Sequence, residues 1–308
     1  MPIIELLFIQ ILIMFVYIAI GLIMTKIKLI DDFGAKQLSK VLVYFITPVA
    51  ILYSFTNMTF SNEYTIGLLV SMLLSVVALG ISILVSRVAF GSRYTLEHFG
   101  TSFSNAGFMG IPLVMAILGP AGVFYISTFV ALLNILQWTY GVFVITNTKD
   151  FIQPKKILTN PFVISFFLGI VFYGLNGLGF HMPEIVNNQL SIISKMIGPI
   201  AMLIIGSYLS KVNFREIFKE KIVYASLSLR LLFIPLLTAI VFLLVPKTYE
   251  NIALSIMIVA SAPVGANVAI FAALYGVEHK RAIVEICLST LLAAFTMPLM
   301  IAVFQWLF

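Results

Sequence analysis

The sequence predicts an all-α polytopic membrane protein, with ten transmembrane helices arranged as two five-helix repeats of inverted topology. Three observations lead to this prediction. Of the 308 residues, 61% are hydrophobic and only 10% are charged, a composition that soluble globular domains do not have. Apolar runs of about 20 residues recur along the chain, and each is long enough to cross a bilayer once. Two pairs of prolines within these runs share one spacing.

The apolar runs define ten predicted spans and one linker. Polar residues 147–160 are predicted to form a cytoplasmic linker between a first repeat at 1–146 and a second repeat at 161–308. The predicted spans are about 3–25, 36–56, 64–86, 98–118, 122–146, 161–180, 190–210, 221–245, 251–275 and 282–307.

The basic residues indicate the orientation of the spans. Fifteen of the 18 Lys and Arg residues fall in alternate loops, whereas only Lys195 and Lys247 fall on the opposite side and Arg230 lies inside a span. Because cytoplasmic loops carry an excess of Lys and Arg, the fifteen are predicted to be cytoplasmic. The protein is therefore predicted to lie in the cytoplasmic (inner) membrane, with both termini on the outer side. The clusters follow the topology, so nucleic acid is not predicted as a partner. The fifteen are Lys26, Lys28, Lys36, Lys40, Arg87, Arg93, Lys149, Lys155, Lys156, Lys211, Arg215, Lys219, Lys221, Lys280 and Arg281.

The proline spacing predicts an internal repeat. Pro48 and Pro199 are 151 residues apart, and so are Pro112 and Pro263, in a chain with only 12 prolines. Each half would contain an odd number of spans, so the second half would enter the membrane from the opposite side. Inverted repeats of this kind form binding sites near the midplane, where the halves meet.

Predicted spans 4 and 9 contain segments that do not suit a smooth lipid-facing helix. Residues 101–112 and 260–267 each combine hydroxyls, an Asn, glycine and proline, and polar backbone at membrane depth must face protein or a water-filled cavity. The sequence therefore predicts interrupted helices, with breaks at Gly110, Pro112 and Pro263. The alternative is a pair of proline kinks that only shape packing.

Interrupted helices predict a site for an anion. Helix N-terminal ends carry partial positive charge and free amides, whereas C-terminal ends and freed carbonyls could coordinate a cation. Arg230 is predicted to hold a substrate carboxylate; the alternatives are a pair with Glu285 or snorkelling to the interface. The predicted substrate-binding residues are Asn105, Asn267, Arg230, Ser104, Ser261, Gly107, Gly265 and Asn134.

The alternatives for the polar residues are structural. Asn105 and Asn267 could cap the helices at the breaks, and Asn134 with Gln137 could make contacts between helices. The single cysteine, Cys287, excludes an intrachain disulfide and a cysteine-based metal site. The sequence has no phosphate-binding loop, zinc-protease motif or nucleophile elbow, so neither an enzyme nor ATP-driven transport by this chain is predicted. No cofactor is predicted beyond a coupled Na⁺ or H⁺.

Two motifs carry a family resemblance. Residues 104–113, SNAGFMGIPL, and residues 261–267, SAPVGAN, resemble the broken-helix motifs of the auxin efflux carrier family, which includes plant PIN auxin transporters and bacterial carriers of malonate, malate and other small carboxylates. The resemblance implies a bacterial-type carrier with the fold of bile-acid sodium symporters and sodium/proton antiporters. It also implies that spans 1, 2, 6 and 7 form a scaffold, often a homodimer, and that spans 3–5 and 8–10 form a moving core.

These inferences predict a secondary transporter that moves a small organic anion by alternating access around spans 4 and 9. The alternatives are a sodium- or proton-coupled symporter of larger amphipathic acids, a channel-like uniporter, or a membrane sensor that binds its ligand without moving it.

Overall fold

The chain folds into a bundle of helices, which we describe from a computed structural model covering residues 3–148, 150–210, 221–277 and 280–308. The predicted cytoplasmic residues Lys149, Lys211, Arg215 and Lys219 lie outside the described residues. The helices are α1 (Ile3–Lys26), α2 (Asp32–Thr56), α3 (Asn62–Phe90), α4 (Thr95–Ser102), α5 (Ala106–Thr146), α6 (Pro154–Leu158), α7 (Pro161–Gly177), α8 (Glu184–Leu209, with a turn at Met196), α9 (Lys221–Phe242), α10 (Glu250–Ala260), α11 (Asn267–Leu274) and α12 (Lys280–Leu307).

Within the described residues, seven helices are long and apolar enough to cross a membrane, namely α1, α2, α3, α5, α8, α9 and α12. Helix α7 is apolar but shorter, and α4, α10 and α11 are short because the chain is interrupted beside them. This architecture fits the predicted polytopic membrane protein. The count of ten crossings and the inverted repeat stay predictions.

Helix α5 covers most of two predicted spans. It contains 41 residues, and at 1.5 Å per residue its path is about 60 Å, roughly twice a hydrocarbon core. Gly119 divides it, with φ 65° and ψ −160°, and Pro120 follows directly. Glycine adopts positive φ without the steric cost that a side chain would add, so this residue allows a sharp change of direction between the two parts.

Three prolines inside the long helices, Pro48, Pro112 and Pro235, follow π-helical turns. Proline lacks an amide donor and its ring clashes with the carbonyl four residues earlier. In a π turn the bond spans five residues instead, as where the amide of Ile111 donates to the carbonyl of Ala106 just before Pro112. The helix therefore continues through the proline. The same arrangement precedes Pro48, after Leu42–Ile46, and Pro235, after Leu229–Phe233.

Two sets of helix contacts are extensive. In the first, α1 lies along the second half of α8, and α2 packs on α7 and on the first half of α8. In the second, α3 and α10 pack on α5, and α9 packs on α12. The contact of α1 with α8 is close because both helices carry a glycine there: a Cβ on Gly21 would overlap the backbone of Leu203, and one on Gly206 the backbone of Ile18.

We expect Gly206→Ala to lower the melting temperature of the purified protein, because the new methyl group would overlap α1. Overpacking of this kind costs about 1–3 kcal/mol. Gly80→Ala is the matched control, since a Cβ on Gly80 in α3 would meet no heavy atom within 4 Å. Equal melting temperatures for the two variants would contradict the close contact between α1 and α8.

Candidate functional site

Two helix interruptions lie against each other at the centre of the candidate site. The first, residues 103–105, separates α4 from α5, and the second, residues 261–266, separates α10 from α11. They form an antiparallel bridge between Ser104 and Val264. The amide of Asn105 donates to the carbonyl of Pro263 at 2.8 Å, and the amide of Gly265 donates to the carbonyl of Phe103 at 3.0 Å. Each interruption thus satisfies backbone groups of the other.

The bridge requires a small residue at position 265. A Cβ on Gly265 would lie 3.1 Å from the carbonyl oxygens of both Phe103 and Ser104, which is tighter than ordinary van der Waals contact. Ser289 of α12 supports the bridge from the other side, since its hydroxyl accepts from the amide of Val264 at 3.1 Å.

The first interruption lies nearer to the N-terminus than predicted. Gly110 is within a π-helical turn and Pro112 is in the first turn of the following α-helical segment, so neither residue is at the break. The prediction is corrected because the π turn accommodates the proline and leaves the helix intact. Pro263, in contrast, lies inside the second interruption.

Arg230 of α9 holds the C-terminal ends of both helices that run into the interruptions. Its side chain is 1% exposed. Nε donates to the carbonyl of Ala262 at 3.1 Å, and one terminal nitrogen donates to the carbonyl of Ala260. The other terminal nitrogen donates to the carbonyl of Thr101 at 3.2 Å and to the hydroxyl of Ser82 at 3.1 Å. The guanidinium therefore compensates the partial negative charge of two helix C-termini.

This geometry corrects the predicted role of Arg230 as a substrate ligand. Its donors are engaged by oxygens of α3, α4 and the end of α10, and it does not line the neighbouring cavity. The alternative of a direct pair with Glu285 is also wrong for the described residues, because Glu285 contacts the hydroxyl of Ser226 instead. Arg230 is a positioning residue for the interrupted helices.

A cavity of about 840 Å³ adjoins the paired interruptions. Its inner end includes Ser104, Asn105 and Asn267, at the start of α5 and α11. Exposed residues of α2, including Lys36 and Lys40, line its outer end. Two helix N-termini, with their partial positive charge, thus face the same cavity. Its other described lining residues are Asp32, Ser39, Val43, Tyr44, Gly107, Phe108, Leu133, Asn134, Trp138, Asn160, Pro161, Phe162, Tyr208, Gly265, Ala266, Ala269, Ile270, Phe271, Ala273, Leu274, Ile283, Ile286 and Cys287.

Asn105 caps α5 and keeps an unused donor. Its Oδ1 accepts from the amide of Phe108 at 3.3 Å, as an N-cap side chain does. This bond assigns Nδ2 to the other side of the amide, and Nδ2 is buried without a partner among the described residues. A buried donor without an acceptor is costly, so the site suits a ligand that supplies an oxygen.

Two further amide pairs surround the cavity. Nδ2 of Asn267 donates to Oε1 of Gln137 at 2.7 Å, while Nε2 of Gln137 is buried without a described partner. Oδ1 of Asn134 accepts from Asn160 at 3.2 Å, and Asn160 also caps α7. The alternative of contacts between helices therefore applies to Asn134, which lines the cavity with its oxygen already bonded.

The structure brings most of the predicted substrate-binding residues together. Ser104, Asn105, Gly107, Asn134, Gly265 and Asn267 all line the cavity. Ser261 does not, although its hydroxyl, like that of Ser104, is buried without a described partner. Asn160 and Trp138 were not predicted from the sequence, and Lys36 and Lys40 were predicted only as signals of topology. The four-residue spacing of the two lysines places them on one helical face, and this spacing could have indicated that they line the same cavity.

We expect Arg230→Gln to lower the melting temperature of the ligand-free protein strongly, because buried carbonyls at two helix ends would lose a charged donor. The loss corresponds to about 3 kcal/mol or more. The melting temperature of Arg230→Lys should lie between those of Arg230→Gln and wild type, since a point-like ammonium cannot reach all of the same oxygens. Arg93→Gln, at an exposed arginine, is the control. A wild-type melting temperature for Arg230→Gln would refute the positioning role.

Comparison with known protein families agrees with this architecture. A family model described as membrane transport protein matches residues 6–155 and 150–301, so the two matches cover almost the entire chain. No curated protein matches the chain. The family consists of transporters, which agrees with the prediction that the chain is not an enzyme. The chain therefore belongs to the membrane transport protein family, the auxin efflux carrier family that its two motifs resemble.

Proposed function

We propose that this chain is a secondary transporter that moves a small organic anion by alternating access around the paired interruptions. The observation that carries the proposal is the unused donor of Asn105, which lies buried at the end of a cavity that two helix N-termini also face. A carboxylate oxygen is the ligand atom that fits such a donor, because an ionised acceptor makes the stronger hydrogen bond.

The charge along the cavity supports an anion. Lys36 and Lys40 line the outer end together with Asp32, and these are the charged residues among its described lining. Lysines at a cavity entrance raise the local concentration of an anion. In the predicted orientation this entrance faces the cytoplasm, so the structure would correspond to an inward-facing state.

A second cavity supports a carrier over a channel. It has a volume of about 450 Å³ and is lined by Pro112, Tyr53 and Lys195, among others. Lys195 belongs to the side predicted to face outward. The two cavities share no described lining residue, which supports separate openings over a continuous pore. Alternating access uses separate openings to the two sides. A homodimer through α1, α2, α7 and α8 stays a prediction.

We expect malonate, tested beside malate and indole-acetate as choline salts, to raise the melting temperature of the wild-type protein. Asn105→Asp should remove this shift without lowering the ligand-free melting temperature, because Asp keeps the N-cap acceptor but adds a negative charge beside the anion. A ligand at 100 times its Kd contributes about 2.7 kcal/mol, so the loss is measurable.

Asn62→Asp, at an exposed residue at the start of α3, is the matched control for Asn105→Asp and should keep the shift. If Asn105→Asp retains the malonate shift, the assigned site is wrong. If none of the anions stabilises the wild-type protein, the proposal of a carboxylate substrate is wrong.

We expect a cysteine at position 270 to react with a membrane-impermeant maleimide from the cytoplasmic side. Ile270 lines the first cavity and is 52% exposed, and Cys287→Ser provides the background. Leu244→Cys, beyond the end of α9, should react from the outer side. Labelling of inside-out and right-side-out vesicles measures both. Reaction of Ile270→Cys only from the outer side would contradict the inward-facing assignment.

A further inference from the structure

Glu285 is a buried acid that the proposed anion site does not use. It lies in α12 and is 1% exposed, whereas its neighbours Ile286 and Cys287 line the first cavity. Its carboxyl group rests on the backbone of α4, since a Cβ on Gly100 would lie 2.5 Å from Oε2. Among the described residues it makes no ion pair, and its bonded partner is the hydroxyl of Ser226 in α9.

A chain of hydrogen bonds joins Glu285 to both interrupted helices. Ser226 contacts Oε1 of Glu285, and its oxygen lies 2.6 Å from the hydroxyl of Thr101. Thr101 is the penultimate residue of α4, and its carbonyl accepts from Arg230. Arg230 in turn holds the carbonyls at the end of α10. The hydroxyls of Ser226 and Thr101 therefore link the carboxyl group of Glu285 to the residue whose carbonyl Arg230 holds.

The two hydroxyls allow the hydrogen bonds between Glu285 and Thr101 to run in either donor-to-acceptor direction. Each of Ser226 and Thr101 has one proton to donate and lone pairs to accept. When Glu285 is ionised, Thr101 donates to Ser226 and Ser226 donates to the carboxylate. When Glu285 carries a proton, the carboxyl group donates to Ser226 and Ser226 donates to Thr101. The hydroxyl of Thr101 must then donate to a different acceptor at the end of α4.

The charges that face Glu285 do not provide it with a cation of its own. Glu97 of α4 is a second buried acid, and Arg281 of α12 lies 3.3 Å from its Oε1. Arg230 of α9 is engaged by carbonyl and hydroxyl oxygens. His98 of α4 is bonded to Gly91 and Tyr140. Arg281 thus compensates Glu97, and a proton on Glu285 removes the remaining negative charge from the buried cluster.

We propose that Glu285 is a proton-binding site, linked through Ser226, Thr101 and Arg230 to the ends of the interrupted helices, and that anion movement by this protein is coupled to H⁺. The proton enters as a free ion from water and leaves to water, bonded meanwhile to one carboxyl oxygen of Glu285. The coupling part of this inference rests on the proposed transport function, whereas the proton site can be tested without transport.

The proton site is tested by infrared difference spectroscopy during a pH titration of the full-length protein in lipid vesicles. A protonated carboxyl group has a carbonyl stretch that a carboxylate lacks. Exposed Asp and Glu are ionised above about pH 6, so in that range we expect one such band in the wild-type protein, its loss in Glu285→Gln, and its retention in Glu97→Gln. A band that persists in Glu285→Gln, or that disappears in Glu97→Gln instead, would overturn the assignment.

A second variant keeps the test valid if Glu285→Gln does not fold. Ser226→Ala retains the acid but removes the hydroxyl that accepts its proton, so the band should remain and change frequency, because the carbonyl stretch of a carboxyl group responds to the hydrogen bond that the group makes. Ser255→Ala, at a hydroxyl bonded within α10, should leave the frequency unchanged. An identical frequency in wild type and Ser226→Ala would refute the hydrogen-bonded chain.

The coupling is tested with radiolabelled malonate in proteoliposomes. An imposed pH gradient should increase malonate accumulation by wild type up to about tenfold per pH unit at one proton per anion. Glu285→Gln should lose this response and keep exchange of internal for external malonate, which requires no net proton movement. A wild-type response in Glu285→Gln overturns the coupling. Absence of any malonate exchange by wild type, with the infrared band present, contradicts the proposed substrate and leaves the proton site standing.

Discussion

The backbone at the two interruptions must satisfy its hydrogen bonds without water, and the rest of the structure depends on how this is achieved. Residues 103–105 and 261–266 leave amides and carbonyls that no helix can use, and unsatisfied groups of this kind are costly in a membrane interior. The antiparallel bridge between Ser104 and Val264 pairs some of them, and Arg230 takes the carbonyls at the two helix C-termini. Each interruption therefore depends on the other for part of its backbone hydrogen bonding.

This arrangement separates charge at the junction. The N-terminal ends of α5 and α11 face the cavity, where their partial positive charge is available to an anion. The C-terminal ends of α4 and α10, whose partial negative charge could attract a cation, are already occupied by the guanidinium of Arg230. A planar guanidinium with several fixed donors suits carbonyls from different helices better than an ammonium does. The inner end of the cavity thereby suits the proposed negative ligand without a charged side chain there, since Asp32, Lys36 and Lys40 lie at the outer end.

The same junction lies close to the buried acid. Ser226 contacts both Glu285 and the hydroxyl of Thr101, whereas Arg230 donates to the carbonyl of Thr101. The carboxyl group and the guanidinium are therefore both linked to the same end of α4. The interruptions are short and held by a few bonds, whereas α1 and α8 are in close glycine-mediated contact.

The sequence by itself determined the class of protein, the interrupted segments and six of the eight predicted site residues, which line the cavity, because these follow from local composition: long apolar runs, and Asn, Ser and Gly where a lipid-facing helix would not place them. It misplaced the first break, because the proline rule applies to α-helical turns and Pro112 follows a π turn. Only the tertiary structure decided the role of Arg230, whose partners Ala262 and Thr101 are 32 and 129 residues away. A charged residue within a predicted span indicates that it has hydrogen-bond partners. Which oxygens are those partners depends on how the helices pack.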